Sequence, residues 1–169
     1  MKPLTTFMST LLLVFFLASC GEKKLPVDLS THTKKSTNLE VPYKEMRGVK
    51  TIPAKLNGVE MDMILDSGCS GIHLSLTELQ YMAKQGKVSD ADVQGTTLSQ
   101  VADGTVVENL LVNLDSVRIG GDNGILLKDV KASVALNQVA PLLLGNGVLD
   151  EVASYEVDNV HKKVIFKRK

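Results

Sequence analysis

Met61-Asp62-Met63-Ile64-Leu65-Asp66-Ser67-Gly68-Cys69-Ser70 is an apolar run that ends in Asp-Ser-Gly, a tripeptide that occurs once in the 169 residues. Val59, Met61, Met63 and Leu65 share one face at the period of two of a half-buried strand, with Glu60 and Asp62 on the other. The β-prone stretch 48–56 precedes it, and Asn57-Gly58 between the two is the strongest short signal for a hairpin. Asp66 therefore opens the loop just past a strand pinned by its neighbour. A carboxylate at the end of a buried strand is costly unless something answers it. Asp66 is either a turn former alongside Ser67 and Gly68 or a group held in place for acid–base chemistry.

Downstream, Ser75-Leu76-Thr77-Glu78 fits a capping box ahead of Leu79, Met82 and Ala83 at helical spacing, with Gly86 as the stop. This predicts a helix of about ten residues. Residues 87–96 are polar and read as irregular. Asp103-Gly104 sits between β-prone runs and predicts a second hairpin. Residues 110–119 read as a strand closed by Gly120-Gly121, and 125–139 as one or two more. Pro141-Leu142-Leu143-Leu144 is a buried strand entering Gly145-Asn146-Gly147, with a short helix expected over 148–154 and a closing hairpin over 155–166. The chain is expected to be mostly β, with one or two short helices.

Composition narrows the function classes. Lys plus Arg and Asp plus Glu are 19 each, and the one basic block is the Lys167-Arg168-Lys169 tail, so nucleic-acid binding is not expected. With 4% aromatic residues and no Trp, the core must be built from aliphatic side chains and Met.

The N-terminus reads as an export signal, with Lys2 ahead of an apolar core over 11–18 that is too short to span a bilayer. Its end, Leu17-Ala18-Ser19-Cys20, resembles the lipobox of bacterial lipoproteins. The resemblance implies removal of a signal peptide at 1–19 and acylation of Cys20. Several acyl chains would anchor the protein stably, at about 0.8 kcal/mol per buried methylene. Residues 20–42 are polar and are expected to be a tether, leaving a folded domain over 43–169. With Cys20 lipidated, Cys69 is the lone thiol of the mature chain, and no internal disulfide is available.

From residue 48 to residue 166 the order of features resembles the retropepsin-like aspartic peptidases. Three parts carry the resemblance: the strand leading into Asp66-Ser67-Gly68, the Ala102-Asp103-Gly104-Thr105 turn, and Leu143-Leu144-Gly145 followed by a helix and a final hairpin. It implies a closed β-barrel of the acid-protease fold and hydrolysis of peptide bonds with no cofactor. Such chemistry needs two carboxylates that share a proton around one water. In the aspartic-protease pair the two like charges lie so close that both cannot form cheaply, which pushes the two ionisations apart. One Asp-Ser-Gly per chain implies that the second Asp66 comes from another copy, in a homodimer.

The resemblance also assigns roles. Asp66 is the catalytic carboxylate. The Ser67 hydroxyl would hydrogen-bond across the dimer axis, and Gly68 would let the backbone pass close to substrate. Asp103 and Gly104 would form the tip of a flap over a peptide or protein substrate. Two positions depart from the pattern. Cys69 stands where relatives have Ala, and is read as a small hydrophobe lining the substrate pocket, with a redox role as the alternative. His73 stands where the family is apolar. A thiol nucleophile or a metal site at Cys69 and His73 lacks a supporting partner, since His32 and His161 are far along the chain.

The leading expectation is a lipid-anchored endopeptidase of the bacterial envelope, with the outer membrane favoured because Gly21 rather than Asp follows Cys20. A peptidase-like domain that binds peptide without cleaving it, and a structural envelope lipoprotein, are the alternatives.

Overall fold

The computed structural model describes residues 38–169. The expected signal peptide, Cys20, His32 and the tether as far as residue 37 lie outside the described residues.

The hairpin read from Asn57-Gly58 is formed by β3 (Val49–Leu56) and β4 (Val59–Leu65), antiparallel with Leu56 opposite Val59. Both turn residues take positive φ, 46° at Asn57 and 86° at Gly58, the conformation that such a two-residue connection demands. Pro53 in the middle of β3 would normally break a ladder. Here β2 (Lys44–Met46) pairs on that edge only as far as Thr51, and β7 (Val106–Ile119) only from Ala54 onward, so Pro53 falls in the gap.

Beyond Asp66 come β5 (Ile72–Ser75) and α1 (Leu76–Lys84). Ser75 caps the helix by accepting from the Thr77 amide, its hydroxyl also bonds Glu78, and Leu79 and Met82 are buried. The stretch read as irregular instead holds a short 3-10 turn over Asp90–Asp92 and the first half of β6 (Val93–Gln100), whose second half is the β-prone run read ahead of Asp103-Gly104. The reason is tertiary: this polar strand is held by pairing with the long β7, and exposed side chains need no apolar alternation. One strand, β8 (Ile125–Ala135), fills the next segment, and β9 is only Leu143–Leu144. The second helix, α2 (Asn146–Leu149), starts earlier and is shorter than expected.

These strands close on themselves. The order runs β3, β4, β9, β5, β8, β7 and returns to β3 through Ala54–Ile119, Lys55–Arg118 and Leu56–Val117. The result is the expected mostly-β closed barrel. Ile52, Leu56, Met63, Ile72, Leu74, Val112, Leu114, Val134 and Leu144 are fully or almost fully buried inside it. Each such side chain contributes about 1.5–3 kcal/mol through burial.

A separate three-stranded sheet joins the ends of the described chain, with β11 (Lys163–Lys167) between β1 (Asn38–Pro42) and β10 (Ser154–Asp158). The tether expected to reach residue 42 therefore stops short. Asn38 to Pro42 pair with β11, and Val41 is fully buried. Five residues with a buried Val41 and a half-buried Leu39 carry little local signal, because their order comes from a partner far along the chain.

Candidate active site

The alternation that turns Leu65 inward continues past the strand. Asp66 follows Ile64 on the face opposite the core, where β4 gives way to a loop. Two parallel-ladder bonds hold that exit: the Ile64 amide donates to the Leu142 carbonyl at 2.8 Å, and the Asp66 amide to that of Leu144 at 3.1 Å. The half-buried Asp66 carboxylate accepts from the Gly68 amide through Oδ1 at 2.8 Å. Its Oδ2 has no partner among the described residues.

The loop from residue 66 to 71 is fastened along its length to residues 144–147. Gly145 donates to the Gly71 carbonyl at 2.9 Å, Asn146 to that of Cys69 at 2.8 Å, and Gly147 to that of Ser70 at 2.8 Å. The Asn146 side-chain amide adds a bond to the Ser67 carbonyl at 2.9 Å. The two segments lie so close that a Cβ on Gly145 would stand 2.3 Å from the Cys69 carbonyl oxygen. Glycine at 145 is thus a condition of the site. Nothing in the sequence singles out Asn146, because its partner is 79 residues away.

The remaining expected site residues take these places. Ser67 is exposed, and its hydroxyl has no partner among the described residues. Gly68 is exposed, and a Cβ there would meet Asp66 Oδ1 at 3.1 Å. The half-buried Cys69 thiol lies 3.2 Å from the Gly71 carbonyl of its own loop. Asp103 and Gly104 form the tip between β6 and β7. Gly104 has φ of 88° and Asp103 accepts from the Thr105 amide at 2.8 Å, which holds its carboxyl below the usual carboxylate range. His73 lies on β5 with its Nδ1 2.9 Å from the Ser133 hydroxyl. His161 pairs with Asp158 in the turn between β10 and β11, far along the chain from Asp66. Among the described residues no group of three or more His, Cys, Asp or Glu side chains is placed to hold a metal ion.

Strand register extends the site beyond the loop. Ile64 is opposite Leu143, Leu143 opposite His73, His73 opposite Ser133, and Ser133 opposite Leu111. Paired residues point the same way, so this row runs across the sheet on the Asp66 side. Its neighbours Leu65, Leu144, Ile72, Ala132 and Val112 face the core. Farther along, the same side carries Asn109, Val107, Thr97 and Ser99 of the β6–β7 hairpin, which are buried or half-buried. Leu98, Gln100, Val106 and Glu108 on the hairpin's other side are exposed. The carboxylate, the row and the more buried side of the hairpin thus line one surface.

Comparison with known proteins agrees with this architecture. Residues 52–151 match the family described as "gag-polyprotein putative aspartyl protease". None of the curated proteins matches the chain. Among solved structures, a retropepsin-like aspartic protease from Rickettsia conorii is similar over 78% of this chain and 90% of its own, with 21% identity and a TM-score of 0.54. At that identity the likeness is one of fold.

Proposed function

Because the chain belongs to the gag-polyprotein aspartyl protease family and has the retropepsin-like fold, we propose that it is an aspartic endopeptidase whose working unit is a homodimer. The observation that carries this reading is the Asp66 carboxylate. One oxygen is fixed by the Gly68 amide and the other has no partner among the described residues, at the mouth of a loop stapled to Gly145, Asn146 and Gly147. Rigid positioning of this kind is what general acid–base catalysis requires.

In the dimer, two Asp66 side chains hold one proton and one water between them. The ionised carboxylate takes a proton from the water as its oxygen attacks the peptide carbonyl carbon. The protonated partner gives its proton to the carbonyl oxygen. Collapse of the tetrahedral intermediate breaks the C–N bond, and the amine leaves with a proton from the dyad. The exposed Ser67 hydroxyl is available to bond across the dimer axis, and the β6–β7 hairpin, tipped by Asp103 and Gly104, covers the bound peptide. Acylation of Cys20 anchors this unit in the bacterial envelope.

Cleavage of a broad peptide library by wild type and by Asp66→Asn tests the reading. Asparagine keeps an oxygen for the Gly68 amide, so the fold should survive while the rate falls by about 10³-fold or more. Full activity in Asp66→Asn overturns the peptidase assignment.

A further inference from the structure

His73 is the one titratable side chain in the row Ile64–Leu143–His73–Ser133–Leu111, and the proposed reaction makes no use of it. Its environment defines which proton it carries. The Ser133 hydroxyl is placed to donate its single proton to the Ile72 carbonyl at 3.2 Å. With that donation, the Ser133 oxygen at 2.9 Å from His73 Nδ1 accepts, and on this basis the ring proton is assigned to Nδ1. Burial pushes the imidazole pKa down, in keeping with a neutral ring. Nε2 is left as an unprotonated acceptor.

That acceptor is open. His73 is half-buried, Nε2 has no partner among the described residues, and no buried side-chain nitrogen or oxygen among them lacks a hydrogen bond. Nε2 is therefore reachable from solvent, on the Asp66 side of the sheet. Apart from Ser133, the side chains of the row around it, Leu143, Ile64 and Leu111, offer only apolar contact. A polar acceptor set in such surroundings penalises a ligand that covers it without supplying a donor. Lys131, two residues before Ser133 on the same face of β8, has no ion pair among the described residues and opposes a cationic ligand.

Resting on the peptidase reading, we infer that His73, positioned by Ser133, is a specificity determinant of the substrate cleft, accepting through Nε2 a hydrogen bond from an uncharged donor side chain of the peptide. Ser, Thr, Asn and Gln are the residues of this chemistry. The subsite they enter is the one bounded by Leu143 and Ile64, next to the scissile bond.

A peptide library randomised at each position around the scissile bond, cleaved by the full-length protein, decides it. Wild type should prefer Ser, Thr, Asn or Gln over Val or Ile at one position by about tenfold. His73→Val should reverse the preference at that position, read as the ratio of kcat/KM for Ser, Thr, Asn or Gln peptides to that for Val or Ile peptides. Ser133→Ala frees the ring to change tautomer and should weaken the preference without reversing it, an effect that a merely structural Ser133 would not produce. Unchanged preferences at every position in His73→Val, with cleavage intact and dependent on Asp66, overturn this inference and leave the peptidase reading standing. Cleavage by none of the proteins overturns both. Should His73→Val fold poorly, His73→Gln, which offers both a donor and an acceptor, must broaden the preference for the inference to hold.

Discussion

Gly145 has no space for a methyl group, and the reason lies in the chain opposite. Its Cα faces the Cys69 and Gly71 carbonyls, which a Cβ would approach to 2.3 and 2.6 Å, both backbone atoms that cannot swing away. Gly145→Ala must push the loop that carries Asp66 off the segment carrying β9 and α2. Such overpacking costs about 1–3 kcal/mol. A lower melting temperature together with lost peptide cleavage is expected, and an unchanged melt would show that the loop does not sit against Gly145. Asn146→Ala is the gentler probe. It removes one exposed bond to the Ser67 carbonyl, so stability should fall by about 1 kcal/mol at most while cleavage falls more. At this scale the sequence is legible where chemistry is local. Asp66-Ser67-Gly68 can be recognised because a strand leads straight into it. Asn146 and Ser133 cannot, because their partners, Ser67 and His73, lie on other elements brought together only by the barrel.

The hairpin between β6 and β7 and the one between β10 and β11 show how far element-level reading goes. Asp103-Gly104 announces the first, since a positive φ at the tip calls for glycine, and Gly104 has φ of 88°. The first half of β6, residues 93–96, cannot be read, because only pairing with β7 makes it a strand. Gly104→Val puts a β-branched residue at positive φ, yet a Cβ there meets nothing closer than 4.0 Å. The strain stays at the tip, so the expected result is a loss of peptide cleavage larger than the loss of melting temperature. Equal losses would make Gly104 a structural turn only. In the second hairpin Asp158 accepts from the His161 and Val160 amides at 2.9 and 3.0 Å and lies 2.7 Å from His161 Nδ1. The His161 amide first, then its side chain, hold the Asp158 carboxyl below the usual range. A depressed folded-state pKa gives stability that is present above the ordinary Asp value of about 3.9 and lost as pH falls through the lower folded value. Wild type should therefore melt above Asp158→Asn at neutral pH, and the gap should close as pH falls below the ordinary Asp value and through the lower folded one. A gap independent of pH would mean that the turn is held by something other than this carboxylate.

At the scale of the whole molecule, one Asp-Ser-Gly per chain sets the central requirement. A monomer presents a single Asp66 carboxylate, and the proposed chemistry needs two groups that share a proton. Specific activity should fall on dilution as dimers dissociate, and an excess of Asp66→Asn should poison wild type by forming heterodimers with one ionisable carboxylate. The rate should be bell-shaped in pH, with two apparent pKa values that belong to the dyad jointly. The proposed anchor at Cys20 bears on the same equilibrium, because confining chains to a membrane raises their effective concentration and favours pairing. Cys20→Ala should leave the membrane fraction and, at equal total protein, show lower activity that is restored on concentrating the protein. The dilution series carried out on both forms separates the two contributions. The anchored form should hold its activity to lower protein concentration, and the soluble form should lose it along a dimer dissociation curve. A soluble form that stays monomeric throughout and still cleaves peptide at an undiminished specific rate would mean that a single Asp66 suffices, and the shared-proton mechanism would fall.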